Sequence, residues 1–149
     1  MNDLENCLNR GQLRKVESSV TKSQRSIQEA YKWLEESHKN IDSGAYSSAQ
    51  LSIYLIFFHA ARAVLFRDGI REKSHYCIGI YLNAYSQKGL LEEKWIILLD
   101  RMRSNRHAGQ YSFQSEPTKD EVLSELKSAQ RFVKRMEELL EKTSPLKIE

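Results

Sequence analysis

The stretch that decides the fold is residues 49–66, AQLSIYLIFFHAARAVLF. Apolar side chains would cover most of the circumference of a helix here, which is typical of the central member of a helical bundle. The longest unbroken apolar run is residues 53–58. Ser52 and His59 flank this run, and Arg62 lies shortly after it. This run is well short of the roughly 20 apolar residues that a membrane span needs. We therefore expect a buried helix and no membrane partner.

Helical periodicity continues on both sides of this segment. We predict helices at about residues 18–41, 46–67, 74–87 and 92–107. After a loop at residues 108–117, a last helix is predicted to begin at Thr118, where Glu121 completes a capping box. Its inward positions follow a heptad-like 4-3-4-3-4 spacing: Val122, Leu126, Ala129, Val133, Met136 and Leu140.

These segments predict an all-α fold, an antiparallel up-and-down bundle of four to five helices. The chain has 149 residues, which suits one domain with one core, here about residues 10–142, followed by a frayed tail at 143–149. Six glycines and two prolines are too few for the many turns of a sandwich or barrel. With 40% hydrophobic and 29% charged residues, the composition also excludes a disordered tail.

The charge and the cysteines point to a protein of the reduced cytoplasm. The net charge of +3 is too small to establish nucleic-acid binding by itself, so the placement of the basic residues matters more. Cys7 and Cys77 lack the spacing of a metal site, and we expect both thiols to be reduced. Residues 1–6, MNDLEN, lack the basic and apolar regions of a signal peptide.

The most unusual segment is residues 101–107, RMRSNRH, which holds three arginines, an asparagine and a histidine. Arg103 and His107 are four residues apart and would share one face of a helix, whereas Arg101 would point elsewhere. Arginine binds phosphate and stabilises negative charge that develops at phosphorus, and histidine transfers protons near neutral pH. This set is suited to RNA cleavage without a metal ion or other cofactor.

A structural role explains the same residues. Cationic side chains in the last turn of a helix offset the helix dipole and cap its free carbonyls. The remaining histidines look structural: His38 exposed, His59 in the core or an interface, and His75 beside the N-cap candidate Ser74. They lie far apart in sequence without a metal-ligand spacing, so no metal site is expected.

Several motifs resemble those of a known family. They are residues 13–18 (LRKVES), 42–49 (DSGAYSSA) and 58–65 (FHAARAVL), then Gly69-Ile70 and Lys73-Ser74-His75. The chain is similar to HEPN-domain proteins over about residues 10–140, and among them to the small stand-alone UPF0332-type branch. The resemblance implies a helical bundle that forms a homodimer. Many such proteins are RNases and toxins, whose partners are often small nucleotidyltransferase (MNT-type) antitoxins.

The family's catalytic motif is an arginine and a histidine separated by four to six residues. Two copies of the motif face each other across the dimer. By this resemblance His107 is the motif histidine. Arg101 fits the spacing to His107. Arg103 has only three residues before His107, but polar residues follow it, as in the motif. The sequence therefore leaves both arginines open as the motif arginine. We predict Asn105 and Arg106 as substrate contacts.

Tyr111 is a candidate modification site, although the modified tyrosine of the family lies two residues after the histidine rather than four. The function that the resemblance implies is a metal-independent endoribonuclease, the toxin-like half of a toxin–antitoxin pair. The alternative is an inactive HEPN module that binds a nucleotidyltransferase or a nucleotide.

Overall fold

The computed structural model describes the backbone of residues 2–111 and 116–148, and the side chains of residues 2–105 and 116–148. The described part of the chain is 75% helical, which confirms the all-α class. The elements in chain order are α1 (Asp3–Asn9), β1 (Leu13–Lys15), α2 (Val20–Asp42), α3 (Tyr46–Asp68), β2 (Ile70–Glu72), α4 (His75–Gln87), α5 (Glu93–Tyr111) and α6 (Lys119–Lys142).

Helix α3 is the centre of the bundle, as its sequence predicts. It contacts α2, α4, α5 and α6, and most of its apolar side chains are buried. Its C-cap is Gly69, whose φ of +74° suits glycine. A Cβ on Gly69 would also lie 2.6 Å from the carbonyl oxygen of Val16, so this position requires glycine for two reasons.

Among the described helices, α3 is the one long and apolar enough to cross a membrane by length and composition. Most of its most apolar window is buried inside the bundle. Packing against the neighbouring helices therefore accounts for its composition.

Two short strands, which the sequence analysis did not predict, precede α2 and follow α3. β1 and β2 pair antiparallel with Leu13 opposite Glu72 and Lys15 opposite Ile70. The side chains of Leu13 and Ile70 are buried. The pairing holds the N-terminal segment against the end of α3 and the start of α4.

Cys7 of α1 and Cys77 of α4 form a disulfide, with their Cα atoms 6.0 Å apart. The expectation of two reduced thiols is therefore wrong for this structure. Both cysteines are buried. The bond crosses 70 residues of sequence and joins α1 to the first turn of α4.

A buried carboxylate joins α3, α4 and the end of α6. The Asp68 side chain is fully buried and accepts hydrogen bonds from Arg67 Nε at 2.6 Å, from the Tyr81 hydroxyl at 2.6 Å and from the Tyr85 hydroxyl. Arg67 in turn donates to the Thr143 carbonyl oxygen at 2.6 Å. Burial, followed by the hydrogen bonds to Asp68, raises the pKa of both tyrosines, so they stay protonated donors.

Helix α5 is anchored at its start and extends further than predicted. Arg135 of α6 donates to the Glu92 carboxylate at 2.8 Å and to the Leu90 carbonyl oxygen at 3.0 Å. The helix runs to Tyr111, so residues 108–111 are helical and not part of the predicted loop. A single glycine such as Gly109 costs a helix only about 1 kcal/mol, which the rest of α5 tolerates.

Both ends of α6 are fixed. The predicted capping box is present: Thr118 Oγ1 accepts from the Glu121 N–H at 3.2 Å, and the Glu121 carboxylate accepts from the Thr118 N–H. The tail was expected to fray, but Leu146 and Ile148 pack against the core. Lys15 Nζ donates to the Ile148 carbonyl oxygen at 2.9 Å, which holds the tail beside β1.

Reduction of the disulfide should destabilise the protein. Breaking a cross-link over 70 residues restores chain entropy to the unfolded state, worth about 4 kcal/mol. We expect the free energy of unfolding of wild type to fall by about this amount in excess dithiothreitol. The Cys7→Ser variant should show the lower stability with or without reductant. Two free thiols per chain in the unreduced, denatured protein would contradict the bond.

The Glu92–Arg135 contact should give a stability that depends on pH. Hydrogen bonds from Arg135 and Trp95 lower the pKa of Glu92 from 4.5 to about 2. The stabilisation is therefore present above pH 4.5 and is lost as the pH falls towards 2. Glu92→Gln should lower the melting temperature at neutral pH, and the difference from wild type should vanish across that window. Glu93→Gln, an exposed neighbour, is the control. A difference that is constant with pH would contradict the assignment.

Candidate functional site

Arg103 lies at the edge of a cleft that α3, α4 and α5 form together. The cleft has about 280 Å³ of space, part of it open to solvent. Its polar lining comes from Tyr54 of α3, His75 of α4, and Asp100 and Arg103 of α5. Phe58 and Leu99 are among its apolar lining residues. A candidate arginine of the sequence analysis thus shares a cleft with a histidine to which that analysis gave a structural role.

The His75 ring is fixed from two sides. Its Nδ1 atom lies 2.8 Å from the Tyr54 hydroxyl oxygen, a hydrogen-bond distance. Its ring stacks on Phe58 with centroids 4.3 Å apart and an interplanar angle of 25°. The preceding residue, Ser74, is the N-cap of α4 and accepts from the Cys77 N–H at 3.3 Å. The start of the helix therefore determines where the imidazole sits.

Arg103 is held loosely by neighbours on two helices. Its guanidinium donates to Asp100 Oδ1 at 2.9 Å from Nη2 and at 3.3 Å from Nε. The guanidinium carbon also lies 5.5 Å from the centroid of the Tyr76 ring, a cation–π distance. The Asp100 side chain is 56% exposed and that of Arg103 is 32% exposed. Ion pairs this exposed contribute little stability, so the arginine can exchange its partner for another anion.

Arg101 and Asn105 lie elsewhere. Two residues correspond to about 200° of rotation on an α-helix, so Arg101 and Arg103 occupy opposite faces of α5. Arg101 and Asn105 line a separate groove of about 820 Å³ between α5 and α6, whose lining includes three carboxylate side chains: Asp120, Glu121 and Glu125. The carboxylates make this groove a poor site for a phosphate.

Glu125 is the half-buried member of that acidic set. It accepts hydrogen bonds from Gln50 Nε2 at 2.9 and 3.4 Å. Burial raises its pKa, the Gln50 bond opposes the shift, and the charge of Glu121 adds to it. The Glu125 side chain therefore adds no anion-binding group to the groove.

Three candidates of the sequence analysis, Arg106, His107 and Tyr111, have side chains that lie outside the described residues. The catalytic assignment of His107 therefore stays a prediction from the sequence. Elsewhere, His38 is exposed as expected. His59 is half-buried, and its pKa is lowered. Burial is the main cause, and the charge of Arg62 adds to it, whereas the charge of Glu29 opposes it.

The described part of the chain contains no group of three or more histidine, cysteine, aspartate or glutamate residues able to hold a metal ion. The proximity of Tyr54 and His75 to Arg103 was not predicted from the sequence. Tyr54 and Phe58 are four residues apart on one face of α3, and Ser74 is an N-cap signal that places His75 at a helix start. These signals define each residue locally, but the contact between the helices is tertiary.

Comparison with known protein families decides the relationship. The model of the HEPN domain matches residues 23–139, which covers most of the chain from the first turn of α2 to the last turns of α6. The chain belongs to the HEPN family. This membership supports an RNase-type or nucleotide-binding function in general. A search of curated proteins found no match to this HEPN chain.

Proposed function

We propose that this HEPN protein is a metal-independent endoribonuclease. The observation that carries the proposal is the position of Arg103 at the mouth of the cleft between α3, α4 and α5. Its partners there are an exposed carboxylate and an aromatic ring, so its guanidinium is available to a phosphate. HEPN membership supplies the RNase-type chemistry that such a site serves.

In this proposal Arg103 binds the scissile phosphate and stabilises the charge that develops on it. The ribose 2′-oxygen attacks phosphorus, the bond to the 5′-oxygen breaks, and the products are a 2′,3′-cyclic phosphate and a 5′-hydroxyl. His107 transfers a proton, either from the attacking 2′-hydroxyl or to the leaving 5′-oxygen. The spacing of the family motif favours Arg101 as the phosphate ligand. Arg101 lies in an acidic groove that would repel a phosphate, so we propose Arg103 as the ligand instead.

We further propose that the protein acts as a homodimer of the UPF0332 type and as the toxin-like half of a two-component module. The proposed antitoxin is a small MNT-type nucleotidyltransferase. The narrowness of the cleft between α3, α4 and α5 supports the dimer, since one chain encloses little space for an RNA strand. A second copy would extend the surface available to the substrate.

The cleavage reaction tests this proposal directly. Wild type in EDTA should cleave a generic single-stranded RNA. His107→Ala should lose about 100-fold or more, because general acid–base catalysis contributes roughly 10²–10⁴-fold. Arg103→Gln should lose a similar factor and Arg101→Gln much less. His38→Ala, an exposed histidine on α2, is the control. Binding without turnover would instead identify the inactive HEPN module, and equal loss in Arg101→Gln and Arg103→Gln would remove the preference for Arg103.

The oligomeric state provides a separate test. Sedimentation equilibrium of the reductant-free protein should give twice the chain mass of 17.4 kDa at micromolar concentration. Mixing active chains with excess His107→Ala chains should lower the activity per active chain if both copies build one site. A monomer with full activity would contradict the dimer proposal.

A further inference from the structure

Two exposed arginines face each other on the outer side of the strand pair. Arg14 of β1 lies directly opposite Arg71 of β2, whereas Leu13 and Ile70 are buried against the core on the inner side. Side chains directly opposite in antiparallel strands lie about 5 Å apart at Cβ, and like charges there destabilise the pair. In the part of the chain that the structure describes, neither guanidinium forms an ion pair with a carboxylate. An anion bound to both arginines would offset this repulsion.

Lys73 extends the positive charge along β2. The pairing continues one residue beyond the strands, because the Lys73 N–H donates to the Gln12 carbonyl oxygen at 2.8 Å. Lys73 is exposed and lies two residues after Arg71. Alternation along an extended strand therefore places both side chains on the outer face.

A fourth cation lies at the end of α1. The Arg14 side chain lies beside Gly11, where an added Cβ would be 3.8 Å from its Nε and Nη2 atoms. The residue before Gly11 is Arg10, the exposed C-cap of α1. Four exposed cations therefore form one surface, which we call the cationic ribbon: Arg10, Arg14, Arg71 and Lys73.

The carboxylate of the strand pair lies on the opposite face. Glu72 is opposite Leu13 on the inner side, is 9% exposed, and pairs with Arg62 Nε at 2.8 Å. Neither strand has another acidic residue. The outer face thus carries positive charge that no carboxylate of β1 or β2 neutralises.

The backbone under the cationic ribbon is held in place. The strands pair with each other, and the Cys7–Cys77 disulfide joins α1 to α4. Lys15, on the inner side of β1, donates to the Ile148 carbonyl oxygen. A surface fixed in advance loses less conformational freedom when it binds a ligand.

We propose that the cationic ribbon binds the phosphates of a single-stranded RNA that also occupies the cleft beside Arg103. The inference rests on the proposed function for its partner class. Arginine and lysine on an open surface bind the phosphates of nucleic acids without reading the sequence, and such contacts position the strand. This role needs no enclosed cavity.

The cationic ribbon lies next to the cleft in the chain. β2 leads through Lys73 and Ser74 to His75, a lining residue of the cleft. Arg71 is four residues before His75, and four residues span at most about 14 Å. That distance corresponds to roughly four nucleotides at 3.4 Å each. An octanucleotide is therefore long enough to contact Arg103 and the cationic ribbon together.

Binding of an RNA that cannot be cleaved tests the surface without catalysis. The probe is a single-stranded octanucleotide with 2′-O-methyl groups, and fluorescence anisotropy of the full-length protein measures its affinity at several salt concentrations. The Arg14→Gln/Arg71→Gln variant should bind several-fold more weakly at low salt. Its plot of log K against log salt should be shallower by about 1.4, because each phosphate contact to a single strand contributes about 0.7.

Two matched variants separate charge from structure. Arg25→Gln/Arg131→Gln removes the same charge from exposed positions of α2 and α6, and it should keep the affinity and salt dependence of wild type. Arg14→Lys/Arg71→Lys keeps the charge of the cationic ribbon and should keep most of the salt dependence. The Arg14→Gln/Arg71→Gln variant should melt no lower than wild type, because it removes a repulsion between the strands.

An Arg14→Gln/Arg71→Gln variant with the affinity and salt dependence of wild type would overturn the proposal. Tighter binding of a poly-glutamate peptide than of the octanucleotide would also overturn it and would assign the surface to an acidic protein. The expected loss of binding in a protein that cleaves no RNA would support the cationic ribbon and count against the endoribonuclease alone. RNA cleavage with binding independent of Arg14 and Arg71 would do the reverse.

Discussion

The fold depends on the buried charge of Asp68. A carboxylate with no exposure to water is costly unless every oxygen is hydrogen-bonded. Here an arginine and two tyrosines from α4 bond it. Arg67 also donates hydrogen bonds to carbonyl oxygens at the end of α6. The buried anion at the end of α3 therefore sets the relative positions of α3, α4 and α6. Loss of a single partner would leave a buried charge partly unpaired, which is a strong penalty.

The hydrogen bonds around Asp68 also determine the geometry of the candidate site. The tyrosines bound to Asp68 belong to the middle and end of α4, and the disulfide at Cys77 fixes the start of the same helix. His75 is therefore positioned by a helix that is held along its length. The opposite wall of the cleft is α5, which Arg135 anchors to α6 through Glu92. Two independently fixed helices bring Arg103 and His75 to one cleft.

The sequence predicted the parts of this structure that have local signals. The all-round apolar character of residues 49–66 indicated a central helix, and Thr118 and Glu121 indicated the start of α6. The strands have three residues each, too few to show an alternating pattern. The disulfide joins residues 70 apart, and nothing in the spacing of two cysteines reveals such a pair.

The candidate site likewise has parts with local sequence signals and parts that depend on packing. The cluster at residues 101–107 is a local signal, and the helical period alone separates Arg101 from Arg103. The cleft itself depends on contacts between helices, such as the bond from Tyr54 to His75 across 21 residues. The position of three carboxylates beside Arg101 is likewise tertiary. Sequence patterns thus identified the arginines, and packing distinguishes between them.

The most direct test of the account is a crystal structure of the protein with a short RNA whose 2′-hydroxyls are methylated to prevent cleavage. The account predicts a backbone phosphate within hydrogen-bond distance of the Arg103 guanidinium, inside the cleft that Tyr54 and His75 line. An RNA bound in the groove beside Arg101, or on a surface remote from both arginines, would contradict it.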